Sequence, residues 1–478
     1  MSHRARTTGV IAAAIAALAA PLAQAQDDWS VRYRLLETSM LLEEVGPGVI
    51  VTPLTGTFDM QLVSDGDDDI YNVANFRAKG PDASVRVHGA GDFRFMTLTM
   101  PLHHRMRLTV SVDSRLAELD SGTVEPVPFR PVTLYPTFEI QLWETGAPGQ
   151  DRIGLHLVAV PAHPLWFSTE IPFDTAPPPG RLIGAGAILS SGGAVIADNH
   201  DLTRNLGMMP IPPDIGLDAL YFVNAPDATR KEFIFSSEQD AFSESLGPLS
   251  AGDLFSDTGV IVARNADLFG ALDPDPPDVG LDALCVGLCR CWKISSERDF
   301  FSRTLQQTIG HGDLVAQHGE PLLTNAQLRA RFHPVSPTPD DLGLDAFIIR
   351  DNGEVWFSLE EGFEDRVVGW IGAGDLLSDS GWVVARNARL IRRFGPVAST
   401  PDVGLDAIHV VPLAPGDMNA DGFVNNFDID AFVLALVNPD AFYDLYPEVD
   451  PNVVGDTNRD HRFNNFDIDG FVTLLTPP

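Results

Sequence analysis

Apolar residues along this chain recur mostly at every second position, in short runs bounded by Gly, Pro and Asp. Between residue 27 and about residue 150 such runs are Tyr33 to Leu36, Val85 to Val87, Phe93 to Leu98, Leu108 to Val112 and Phe138 to Leu142. Period-two alternation broken by turn formers predicts strands. A β-sandwich over 26–151 is the simplest fold that buries one face of so many strands. The acidic turn from Asp65 to Asp69 has no spaced ligand pattern and reads as a solvated loop.

From 152 to 412 the pattern repeats with a period of about 62 residues. Gly-Leu-Asp-Ala begins at Gly216, Gly280, Gly343 and Gly404. A strand-like element recurs at Trp166-Phe167-Ser168, Ile234-Phe235-Ser236, Ile294-Ser295 and Trp356-Phe357-Ser358. A third segment closes each copy and ends at Asn199, Asn265, Asn325 and Asn387. A unit of three or four short strands buries its apolar face only against its neighbours, so four copies predict a β array. Closing the array into a four-bladed propeller would remove its sheet edges. The run Gly404 to Val411 starts a further unit that does not continue, and the first unit lacks such a strand, Gly154 to Val160 being only a weak cousin. A C-terminal strand completing the first blade would account for both. In a closed ring Asp218, Asp282, Asp345 and Asp406 would approach one axis. The simpler expectation is that each accepts backbone N–H groups in its own turn. The Asn series likewise reads as turn residues or caps.

The period changes over 413–478, where Phe427, Phe432, Val433, Leu436 and then Phe466, Phe471, Val472, Leu475 fall near helical spacing. Each set follows an acidic loop, DMNADGFVNNFD from Asp417 and DTNRDHRFNNFD from Asp456. Oxygen donors at loop positions 1, 3, 5, 7, 9 and 12 suit a calcium ion, which takes six to eight oxygens. In the first loop these are Asp417, Asn419, Asp421, the Phe423 carbonyl, Asn425 and Asp428; in the second, Asp456, Asn458, Asp460, the Arg462 carbonyl, Asn464 and Asp467. Gly422 occupies position 6, where the chain needs positive φ; His461 stands there in the second loop, and a strain of roughly 1–2 kcal/mol is expected. Two Ca2+ sites follow, the second weaker, with folding of the tail coupled to the ion.

Composition changes the picture in two ways. The 478 residues carry 32 basic and 66 acidic side chains, a formal charge of -34, which excludes nucleic acid as a partner. Residues 1–25 read as a signal peptide: Arg4 and Arg6, an apolar run from Val10 to Ala20, then Ala23-Gln24-Ala25. With no later membrane span expected, the mature chain is placed outside the cell, at the cell surface or in the periplasm. Cys285, Cys289 and Cys291 are an odd set without a neighbouring His, a poor zinc site, and read as strand residues with room for one local bridge.

The tail from 416 to about 476 resembles the dockerin type I module, two D-x-N-x-D-G-x-V-N-x-x-D loops each followed by a helix, with Asp428 and Asp467 closing the loops. The resemblance implies calcium at the twelve positions named, a docking partner of the cohesin type, and the company of secreted polysaccharide-degrading systems. Asn426-Phe427 and Asn465-Phe466 depart from it, where dockerins often carry small or hydroxyl residues. The whole chain is thus expected to be mainly β with a small α-helical C-terminal module. Its expected role is a secreted, calcium-binding, non-catalytic structural or docking protein that engages a cohesin-like protein or a cell-surface component. The alternative is a component of extracellular polysaccharide degradation, binding carbohydrate or acting as a glycoside hydrolase, although no residue pair is selected for catalysis.

Overall fold

The computed structural model describes residues 30–476 except 65–67, 82–84, 97–101, 126–134, 146–150, 177–179, 209–213, 225–230, 287–290, 412 and 461. The signal segment, most of the Asp65 turn, Cys289 and His461 lie outside the described residues. The chain is mainly β, in several sheets, with a small helical region at the C-terminal end. Among the described residues no helix is long and apolar enough to cross a membrane.

The N-terminal strands form one antiparallel sheet. They are β1 (Ser30–Leu35), β2 (Met40–Val45), β3 (Gly48–Pro53), β4 (Thr55–Ser64), β5 (Asp68–Lys79), β6 (Arg86–Met96), β7 (His103–Val112), β8 (Arg115–Asp120), β9 (Phe138–Glu144) and β10 (Ile153–Pro161). β4 to β10 run as a meander, and β1 pairs with β4 on one side and β10 on the other, so the sheet closes on itself. The expected sandwich is therefore replaced by a barrel of eight strands, with the β2–β3 hairpin continuing along the free length of β10. Eight strands leave an interior that side chains fill. Here Tyr33, Phe58, Phe93 and Phe138 fill it, with centroids 5.1 Å apart for Tyr33–Phe58 and 4.9 Å for Phe93–Phe138. Closure also moves a boundary. Ile153–Pro161 is a barrel strand, not the opening of the repeats at 152.

The repeats form four four-stranded sheets, the first beginning at Leu165–Phe167. That first strand pairs with Ile408–Val410, Trp166 opposite His409, so the C-terminal strand completes the first sheet. The other three sheets start from Leu220–Asn224, Leu284–Val286 and Phe347–Ile349. These strands and Ile408–Val410 neighbour one another in cyclic order, the order that a four-bladed propeller requires.

One hydrogen bond repeats around that circle. Ser168 Oγ donates to the Leu217 carbonyl (3.0 Å), Ser236 to Leu281 (3.4 Å), Ser295 to Leu344 (3.3 Å) and Ser358 to Leu405 (2.7 Å). Each serine is wholly buried and joins its own sheet to the next. A buried hydroxyl needs such a partner, and the Phe-Ser element of the sequence supplies one per repeat.

In the tail, helices Asp428–Val437 and Ile468–Leu475 share a small core. Phe432 stacks on Phe471 at 4.1 Å and 10°. The helical spacing is right, but the inward face differs from expectation. Phe427 and Phe466 are 71% and 75% exposed, and Val433 and Val472 also face solvent. Each Phe stands inside its loop, before the helix, and its backbone N–H is held by the preceding Asn at loop position 9.

The tail and the barrel belong to one compact unit. Buried Arg32 of β1 grips Asp59 of β4 with two nitrogens (2.8 and 3.0 Å) and reaches the Val449 carbonyl (3.0 Å) and Asp450 (3.6 Å). Its guanidinium lies 4.3 Å from the centre of the Tyr443 ring. Arg77–Asp440 and Lys79–Asp444 add ion pairs at the exposed margin.

Candidate metal centres

The two tail loops adopt one design. In the first, the Asp421 N–H donates to Asp417 Oδ1 (3.1 Å) and Asn419 Oδ1 (2.8 Å), the Phe423 N–H to Asp421 Oδ1 (2.8 Å), and the Asn425 N–H to Asp428 Oδ2 (2.8 Å). In the second, Asp460 donates to Asp456 (3.1 Å) and Asn458 (2.9 Å), Arg462 to Asp460 (3.0 Å), and Asn464 to Asp467 (2.8 Å). The same donors meet the same acceptors at the same loop positions, although the intervening residues differ. Backbone amides thereby fix the side-chain oxygens that a hard cation would use.

Gly422 has the expected positive φ, +82°. Position 4 is also left-handed in both loops, Ala420 at +58° and Arg459 at +63°, which nothing in the ligand pattern foretold. Asp417, Asp428 and Asp467 are wholly buried. Burial, with Asp421 near by, pushes the Asp428 carboxyl up to about 6. Burial in the loop thus disfavours the charged form of this carboxyl.

A second group of acids lies where the four repeat sheets meet. Asp218, Asp282, Asp345 and Asp406 are each no more than 5% exposed, and the turn they follow is not their work. Asp214, Asp278, Asp341 and Asp402 accept the N–H of Gly216, Gly280, Gly343 and Gly404 at 3.1–3.2 Å. The Asn series holds the same turn. Asn387 accepts from Val403 N–H (3.2 Å) and donates to the Gly404 carbonyl (3.0 Å), as Asn265 and Asn325 do in their repeats. The expectation for the Asn residues holds. That for the four Gly-Leu-Asp-Ala aspartates is overturned, because another Asp already takes the amide.

A glutamate stands beside each aspartate turn: Glu170, Glu238, Glu297 and Glu360. The glycine conformation makes room for it. φ is +71° to +75° at the four glycines, and a Cβ at any of them would fall within 2.6 Å of the glutamate side chain. These glutamates were missed in the sequence, yet a signal existed. They follow the recurring serine by two residues, as Ser168-Thr169-Glu170, Ser236-Ser237-Glu238, Ser295-Ser296-Glu297 and Ser358-Leu359-Glu360.

The glutamates reach solvent while the aspartates do not, so the acids form an open tier and a buried one. Burial first, and neighbouring acids second, hold all four aspartates well above the usual carboxylate range. Partial burial likewise raises Glu170 and Glu297, and lifts Glu238 and Glu360 to about 7. Asp218, Glu238 and Asp406 can each place one oxygen within 4.8 Å of the other two. A further group, Asp299, His311 and Asp341, is more exposed, and Asp341 is already engaged by Gly312 and Gly343. Of the cysteines, Cys291 is disulfide-bonded and Cys285, in Leu284–Val286, carries a free thiol.

The chain matches no protein-family model, and no curated protein is similar to it.

Proposed function

We propose that this is an exported, calcium-binding, non-catalytic protein whose β-rich body is displayed through its C-terminal module. The observation that carries the reading is the duplicated loop: two sequences with different intervening residues present the same oxygens, held by the same backbone amides. Calcium would be held by Asp417, Asn419, Asp421, Phe423, Asn425 and Asp428, and by the matching six residues from Asp456 to Asp467. The paired exposed residues Phe427, Ile429, Val433 and Phe466, Ile468, Val472 support a protein-docking role, with a cohesin-like protein or a cell-surface component as partner. The dockerin-like reading is part of this proposal.

The alternative of a glycoside hydrolase gains nothing from the acids where the sheets meet. Hydrolysis needs two carboxyls that environment drives apart in acidity. Here the four aspartates and the four glutamates are all shifted upward.

Calcium titration of the full chain tests the reading. Asp417→Ala with Asp421→Ala should remove one bound calcium, and Asp456→Ala with Asp460→Ala a second. Unchanged stoichiometry in both pairs would reject the ligand set. A calcium-dependent pull-down from the exported proteome that recovers no partner would reject docking.

A further inference from the structure

We infer that the ring of four repeat sheets holds a hard divalent cation of the calcium class at Asp218, Glu238 and Asp406, whose carboxylate oxygens lie within 4.8 Å of one another. An acidic cluster alone would not support this. The decisive feature is that Oδ2 of every one of the four aspartates is buried without a hydrogen-bond partner. A buried polar atom left unpaired costs on the order of 1–3 kcal/mol, and native structures contain few of them. Four at equivalent positions of one ring are a designed feature, not an accident of one loop.

Hydrogen bonds to the protein do not meet this need. The nearby turn amides are taken by Asp214, Asp278, Asp341 and Asp402. The asparagine amides are committed to glycine carbonyls in three repeats. The serine hydroxyls are committed to leucine carbonyls in all four. Asp218 also neighbours Glu297, and Asp406 neighbours Glu238, acids that bring no N–H donor to the buried Oδ2 atoms.

The donors are all carboxylate oxygens, which suits Ca2+ and related hard ions better than the N- and S-seeking transition metals. Magnesium keeps several waters and strict octahedral geometry, whereas an irregular set of carboxylates open to solvent on the glutamate side suits the larger, more adaptable ion. The exposed glutamate tier supplies the entrance: an ion would meet Glu170, Glu238, Glu297 and Glu360 before the buried aspartates. Bound there, it would favour the charged carboxylates that burial first, and neighbouring acids second, disfavour in the four aspartates.

The site is independent of the tail, and stoichiometry separates the two. The full chain carrying Asp417→Ala, Asp421→Ala, Asp456→Ala and Asp460→Ala should still bind one calcium ion in equilibrium dialysis. The chain with intact loops and Asp218, Asp282, Asp345 and Asp406 all changed to Asn should bind one fewer than the unaltered chain. Should the fourfold variant fail to fold, Asp406→Asn in the loop-disabled chain should weaken calcium at least tenfold. Manganese soaked into crystals of the full chain should give an anomalous peak beside Asp218, Glu238 and Asp406. A loop-disabled chain that folds and binds no calcium, with no manganese peak, overturns the inference and leaves the tail reading untouched. Failure of the tail reading shows differently, as one bound ion in the unaltered chain and none in the Asn variant.

Discussion

Arg32 gives the sharpest test of how the tail is held. Its side chain is 3% exposed and faces two carboxylates, Asp59 at 4% and Asp450 at 3%. Arg32→Met keeps much of the side-chain volume and deletes the charge. Asp59 then keeps only the Asn75 amide (2.8 Å), while Asp450 loses its cation and the Val449 carbonyl its donor. Breaking one side of a buried pair costs about 3–5 kcal/mol, because the stranded charge is not rehydrated. For a unit of this size that corresponds to a fall of roughly 10 °C in its thermal transition. The exposed pairs provide the contrast. Arg77 and Asp440 are 33% and 84% exposed, and Lys79 and Asp444 are 46% and 64%, so Arg77→Ala or Lys79→Ala should cost less than about 1 kcal/mol. Calorimetry on the full chain, with limited proteolysis at the tail, reads both. Adding Asp59→Asn to Arg32→Met should recover part of the loss, since it removes one stranded charge. If Arg32→Met costs no more than Arg77→Ala, burial is not what gives this contact its strength.

Two further outcomes follow from single side chains. His104 is 1% exposed with both ring nitrogens unpartnered, and burial, then His103, depresses it to about 4. Its neutral form is favoured in the fold, so stability is full above the unfolded value near 6.5 and declines as pH falls towards 4, by up to about 3 kcal/mol. Chemical denaturation at pH 7.5 and 4.5 should show this loss, and His104→Leu should shrink it. Asn387→Ala strands the Val403 N–H and the Gly404 carbonyl, at about 1–3 kcal/mol for each group left unpaired. Urea unfolding of the repeat ring measures it, and a loss under 0.5 kcal/mol would show that water replaces the amide.

What could be read from the sequence was local or periodic. Each acidic tail loop packs its candidate oxygen donors into twelve residues, so spacing alone proposes them, and the asparagine clamps were recognisable as turn residues. The odd strand after Gly404 implied that the first sheet would be completed from the C-terminal end, and Ile408–Val410 does pair with Leu165–Phe167. What depends on distant partners was hidden. Barrel closure rests on Tyr33 opposite Pro161, a pairing across most of the domain that alternation cannot encode. Phe427 and Phe466 look like core residues by type and spacing, but Phe432 and Phe471 already fill the space between the helices. The docking of 443–450 on Arg32 has no sequence signal, since a buried arginine in a strand reads as an exposed one.

The four aspartates show why a plausible local rule failed. An Asp beside a positive-φ glycine is usually there for the turn, and one Asp per repeat does that work, two residues ahead of the glycine. The second Asp, two residues after it, is therefore surplus to the turn and to the ring, which the serine and asparagine bonds already hold. Burying it against three copies of itself costs stability in every repeat. An Asn at that position would keep the size of the side chain without the charge. Local rules that are broken at a cost, at equivalent places in all four repeats, are where function is expected. The tail reaches a similar arrangement by another route, with buried carboxylates fixed by backbone amides. Two unrelated folds in one chain thus present buried, crowded acids, and the hard cation we propose would relieve both.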